Sequence, residues 1–98
     1  MERISIIGSG RLAGALAIAL SRADYRIDQV VYHINLPANL APHLDAATAF
    51  VRLDELSAVD SDIAIISVAD TAIAETAAAI ARVLRPGSVL LHTSGALS

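Results

Sequence analysis

Apolar residues fall into two alternating patterns along this chain. Short, mostly apolar runs occur at Arg3–Ile7 (RISII), Gln29–Ile34 (QVVYHI), Ile63–Val68 (IAIISV) and Ser88–His92 (SVLLH). The first is nearly continuous in apolar character, as expected for a strand covered on both faces of a parallel sheet, and the second is rich in β-branched and aromatic residues. Between them lie stretches with helical spacing. Leu12, Leu16 and Leu20 recur every fourth residue and predict a helix over about Arg11–Ala23, with Ala13 and Ala17 flanking the stripe. Ala15 and Ile18 make the opposite side of that helix apolar too, so a second covering surface is expected. Ile73, Ala77, Ile80 and Leu84 form another stripe, with Asp70 and Thr71 offering a cap. Arg82 and Arg85 suit the carboxyl end of that helix, and Pro86-Gly87 ends it.

The middle of the chain is less regular. Asp24 to Asp28 read as a loop. Pro37 and Pro42 shape turns and helix starts. A helix is expected over about Ala38–Ala47, a short strand near Ala49–Val51, and a loop with a helical turn over Asp54–Asp62. Strands alternating with helices imply an α/β fold, an open parallel sheet of about five strands with right-handed crossovers. The expected order is 3-2-1-4-5, doubly wound. Functional groups then collect at the carboxyl ends of the strands, beside the first strand.

The glycines give that sheet a candidate chemistry. Gly8, Gly10 and Ala13 form G-x-G-x-x-A directly after a strand pattern and directly before a helix pattern. A dinucleotide-binding βαβ unit needs this order. Gly8 lets the chain turn off the strand. Gly10 lets a pyrophosphate approach the main chain, and Ala13 allows close helix–strand packing. The unpaired N–H groups of the new helix favour an anion. S-adenosylmethionine enzymes also carry glycine-rich first turns, but their usual acid before the first glycine is replaced here by Ile7. The plainer alternative is a glycine turn that binds nothing.

Composition narrows the classes. The 98 residues suit one domain, and 55% are hydrophobic against 17% charged. A net charge of −3, with no cluster of Lys and Arg, argues against a nucleic-acid or membrane-surface binder. Without cysteine there is no disulfide, thiolate nucleophile or cysteine metal site. No His, Asp or Glu spacing suggests a metal site. No secretory signal is visible at Met1, and no apolar run reaches the ~18 residues of a membrane span. A cytoplasmic protein is the default expectation.

Three stretches carry a family resemblance: IIGSGRLAGAL at residues 6–16, DIAIISVADTAI at 62–73 and LLHTSGALS at 90–98. The chain resembles the N-terminal Rossmann domain of the pyrroline-5-carboxylate reductase and 6-phosphogluconate dehydrogenase group, and within it an NADP-binding, Rossmann-like branch. Members of that group continue into a mostly helical second domain that helps form the substrate pocket and the dimer. By this resemblance residues 1–98 form the cofactor domain of a longer, homodimeric oxidoreductase, inactive alone. Hydride would pass between the cofactor and a small imine, keto or hydroxy substrate. A nucleotide-sensing module without turnover is the rival reading.

The resemblance also implies residue roles. Gly8, Ser9, Gly10, Arg11 and Leu12 would cradle the pyrophosphate. His33, Ile34 and Asn35 would meet the adenosine ribose. Ser67, Val68, Ala69 and Asp70 would line the ribose and nicotinamide side. His92, Thr93, Ser94 and Gly95 would lie near nicotinamide and substrate, with His92 and Ser94 the catalytic candidates. NADP binders of this branch often carry Ser-Arg where this chain has His33-Ile34. Counting from the glycines picks Asp28 as an NAD-type ribose acid, but Asp28 is expected before the second strand, ~20 Å from the site at ~3.3 Å per residue. With no acid ending that strand, NADP is favoured over NAD, and Arg11 could reach its 2′-phosphate.

Each candidate also has a plainer reading. Arg11 could be a solvated first-turn residue and Asp70 a helix cap. His33 could be a strand-end residue with a hydrogen-bonded ring, and His43 is read as structural. His92 could fix a strand-end turn or exchange protons near neutral pH. Ser94 has no neighbouring base and no G-x-S-x-G elbow, so nucleophilic hydrolysis is not expected.

Overall fold

The computed structural model describes residues 2–8, 10–33, 40–68 and 70–93, the side chains of residues 41, 70 and 71 excepted. In chain order the elements are β1 (Arg3–Ile7), α1 (Arg11–Arg22), β2 (Arg26–Tyr32), β3 (Ala49–Arg52), β4 (Ile63–Ile66), α2 (Asp70–Ala81) and β5 (Val89–His92). Short 3-10 turns occupy Ala41–His43 and Leu53–Glu55. All strand pairs are parallel and the sheet order is β3-β2-β1-β4-β5, as the sequence pattern predicts.

Strand alternation divides β1 between two cores. Ile4 and Ile6 join Ala13 and Ala17 of α1, with Ile27, Val30 and Leu40. Ile7 joins Val31, Val59, Ala64, Ile66 and Ile80 of α2 on the other face. The central strand is thus covered on both sides, which explains its unbroken apolar run. Among the described residues, no helix is long and apolar enough to cross a membrane.

Several expected details change. The fully buried residues of α1 are Ala13 and Ala17; the leucines beside them are only partly buried. Alanine brings the helix backbone close to the sheet, and larger side chains lean out over its flanks. Ile18 packs against the α1-side core, and Ala15 is exposed, so the two do not form a second apolar face. Among the described residues, the large hydrophobic ones left exposed are Tyr25, Val89 and Leu91.

β2 starts at Arg26, within the segment read as a loop, and ends at Tyr32. Its polar opening residues have partners at the amino edge of the sheet. Asp28 lies within β2, not before it, and pairs with Arg3 (3.6 Å) and Arg26 (3.4 Å). It also accepts a hydrogen bond from Ser61 Oγ at 3.0 Å. The helix expected over Ala38–Ala47 is absent from residues 40–47, where a single 3-10 turn stands. Residues 34–39 lie outside the described set.

α2 stops at Ala81, short of Pro86. Val83 to Arg85 instead run beside Val59: Val59 N donates to Val83 O (2.8 Å) and Arg85 N to Val59 O (2.9 Å). Partly buried Val83 and Leu84 pack against the α2-side core, and β-branched Val83 disfavours another helical turn. Arg85 therefore serves Asp62, at 2.8 Å, rather than the helix dipole.

Asp62 also accepts the Arg3 backbone N–H at 2.8 Å. That bond, then Arg85, holds the Asp62 carboxyl below its ordinary value. A carboxylate whose folded value is depressed contributes stability above its unfolded value, near 3.8, and loses it as pH falls through the folded value. Asp62→Asn is accordingly expected to flatten the acid limb of a melting-temperature profile below about pH 4. An unchanged acid limb would remove this pair from acid stability.

Candidate functional site

The carboxyl ends of β1, β2 and β4 open into a cavity of about 610 Å³. Its floor is the turn from β1 to α1. Gly8 N–H donates to Val31 O (2.7 Å), and Ser67 N–H donates to Ile7 O (2.8 Å), so three strand ends are tied around this turn. Gly8 has φ +133°, and a Cβ there would lie 2.1 Å from the Ser67 carbonyl oxygen. Only glycine fits.

Gly10 differs. It caps α1 with φ −76° and ψ −173°, and a Cβ there would meet nothing within 4 Å. Gly10 lines the cavity at the amino end of α1, which has no side-chain cap and no acid in its first turn. Free N–H groups, an apolar cleft and clearance over a glycine form a cradle suited to an anion.

Of the residues singled out from sequence, the cavity wall contains Gly8, Gly10, Arg11, Leu12, His33, Ser67 and Val68. Ser9, Asn35, Ala69 and Ser94 lie outside the described residues, as do Ile34 and Gly95. Asp70 opens α2, and its side chain is likewise outside the described set. His92 ends β5 exposed and is not part of the wall; the neighbouring Thr93 is. Thr93 N–H donates to Ile66 O (3.0 Å), and its hydroxyl donates to Ser67 Oγ (3.3 Å). His43 is exposed in its 3-10 turn.

The sequence reading missed other wall residues. Ala72, Glu75, Thr76 and Ala79 present one face of α2 to the cavity. Their spacing of three and four was legible, but the neighbouring Ile73–Ala77–Ile80 stripe drew the assignment. Tyr32 and Leu53 close the side nearest β3. Next to Tyr32 in the β2–β3 register is Arg52, the last residue of β3. Its Nε donates to Asp54 Oδ1 at 2.7 Å, and Nη2 donates to Oδ2. The Asp54 hydrogen bond pushes the guanidinium further above its already high value. The same bond holds Asp54 low, with a smaller contribution from His33.

A doubly wound parallel sheet with a glycine turn at its switch point defines a nucleotide-binding class of α/β domain. The chain belongs to the Rossmann-like domain family, whose model matches residues 2–98. Solved structures that share the fold include two oxidoreductases. One is a protein of Bacteroides fragilis with a provisional assignment as an NADP oxidoreductase. It is 31% identical at a TM-score of 0.78, over 94% of this chain and 35% of that one. The other is prephenate dehydrogenase from A. aeolicus, solved with hydroxyphenyl propionate and NAD+. It is 15% identical at a TM-score of 0.74, over 96% of this chain and 34% of that one. The chain thus spans about a third of the length of each. No curated protein matches it.

Proposed function

We propose that this chain is the NAD(P)-binding domain of an oxidoreductase, with NADP the favoured cofactor. The observation that carries the reading is the clearance above Gly10, at an uncapped helix start, inside the cavity at the strand carboxyl ends. The pyrophosphate would lie against Gly10, Arg11 and Leu12. Ser67, Val68 and Thr93 would line the nicotinamide side, and Tyr32 and His33 the adenosine side. The described carboxyl end of β2 offers no carboxylate, because Asp28 is engaged with Arg3, Arg26 and Ser61 at the far edge. A 2′-phosphate would meet no repulsion from that strand end.

The nicotinamide, when bound, supplies hydride chemistry. The chain's own part is to hold the phosphates, orient the ring and exclude water along the α2 wall. The provisional NADP assignment of the B. fragilis relative supports the cofactor class. Titration of the protein with NADPH and NADH, followed by calorimetry and nicotinamide fluorescence, should show saturable binding of both, tighter for NADPH. Absence of heat and fluorescence change at millimolar cofactor would sink the proposal.

A further inference from the structure

We infer that Arg52, at the carboxyl end of β3, is the residue that recognises a phosphate monoester on the adenosine ribose, and that Asp54 holds its guanidinium ready. The inference rests on the dinucleotide reading above.

Placement comes first. Tyr32 and Arg52 are register partners on adjacent strands, which run ~4.8 Å apart. Tyr32, His33 and Leu53, the neighbours of Arg52 across the sheet and along the chain, all line the cavity. In this class of fold the adenosine ribose sits at the end of the second strand, so Arg52 stands one strand away from it. Arg11 has a different place. It directly follows Gly10, at the turn where both NAD and NADP present the same pyrophosphate. The 2′-phosphate role considered for Arg11 therefore passes to Arg52.

Geometry comes second. Asp54 engages the Nε/Nη2 edge of the guanidinium. A guanidinium carries five N–H donors in a rigid fork. Two are used by Asp54, leaving the Nη1/Nη2 edge for a second bidentate acceptor. Phosphate oxygens match that fork, and lysine would not. Asp54 thus fixes the plane of the fork while leaving its phosphate-binding edge to a ligand.

The test uses the whole chain and four ligands: NADP, NAD, 2′,5′-ADP and ADP-ribose. Arg52→Ala should weaken NADP and 2′,5′-ADP by about tenfold or more, the size expected for loss of a charge-assisted contact. NAD and ADP-ribose should change less than about twofold. Arg11→Ala should weaken all four ligands alike. Asp54→Ala, which frees the fork, should weaken NADP and 2′,5′-ADP and leave NAD and ADP-ribose unchanged; a merely structural Asp54 would not produce that split, and unchanged or tighter binding of the 2′-phosphorylated pair overturns the positioning role. The ion pair is exposed and contributes little to stability, so melting temperatures of the Arg52 and Asp54 variants should stay near wild type. Equal loss of all four ligands in Arg52→Ala, or no loss of NADP, overturns the inference while leaving the dinucleotide site standing. Failure of wild type to bind any of the four overturns both.

Discussion

Gly8→Ala is expected to lower the melting temperature by about 15 °C or more, or to prevent folding outright. The added Cβ would sit 2.1 Å from the Ser67 carbonyl oxygen, inside any permitted contact. That carbonyl belongs to backbone, so no flexible side chain can yield. The residue also holds φ +133°, which an L-residue adopts only with strain. Overpacking costs about 1–3 kcal/mol and the dihedral a further 1–3. A domain this size is stable by roughly 5–15 kcal/mol, and each kcal/mol shifts its melting point by about 4–8 °C. The damage would spread beyond the turn, because Gly8 N–H to Val31 O and Ser67 N–H to Ile7 O knit three strands there. Thermal melts by circular dichroism check this; a shift under about 2 °C would mean that β1 does not pass Ser67 this closely.

Gly10→Val is expected to do the reverse: keep the fold and lose the cofactor. Its φ and ψ suit any L-residue, and a Cβ there meets no protein atom within 4 Å. Valine is a poorer N-cap than glycine, which costs at most about 1 kcal/mol. The branched side chain would fill the space over the α1 amino end that the pyrophosphate needs. Losing charge-assisted bonds to those N–H groups, worth about 1.5–3 kcal/mol, weakens binding roughly 10- to 150-fold. Gly8 and Gly10 therefore separate structure from binding two residues apart. Calorimetry with NADPH, alongside a melt, reads both effects. Undiminished binding in a folded Gly10→Val protein would place the dinucleotide elsewhere.

Sheet order, the glycine turn and part of the cavity wall were legible because they rest on local signals. Apolar runs marked β1 and β4, which are largely buried, and also β5, which the sheet leaves as an exposed edge; glycine spacing marked the turn. What escaped depends on long-range partners. Arg26 and Asp28 read as loop because charge is unusual in a central strand; Arg3 and Ser61, distant in sequence, make it tolerable. The leucine spacing of α1 was visible, but close packing against β1 favours Ala13 and Ala17. Leu84 fits the helical stripe of α2, yet Val59 draws it into an isolated bridge. His92 stands at the strand end that the pattern points to, but strand alternation leaves its imidazole exposed and turns Thr93 toward Ser67. Arg52 carried no motif, and only the β2–β3 register sets it beside Tyr32.

Cofactor binding at the carboxyl ends of the strands is the central expectation. Amide chemical-shift mapping of the isotope-labelled protein during NADP titration tests it most directly. The account predicts saturable shifts at Gly8, Gly10, Arg11, Leu12, Ser67 and Thr93, with Arg26, Asp28, Asp62 and Arg85 at the opposite edge unmoved. Shifts confined to the amino edge, or none at saturating NADP, would contradict it.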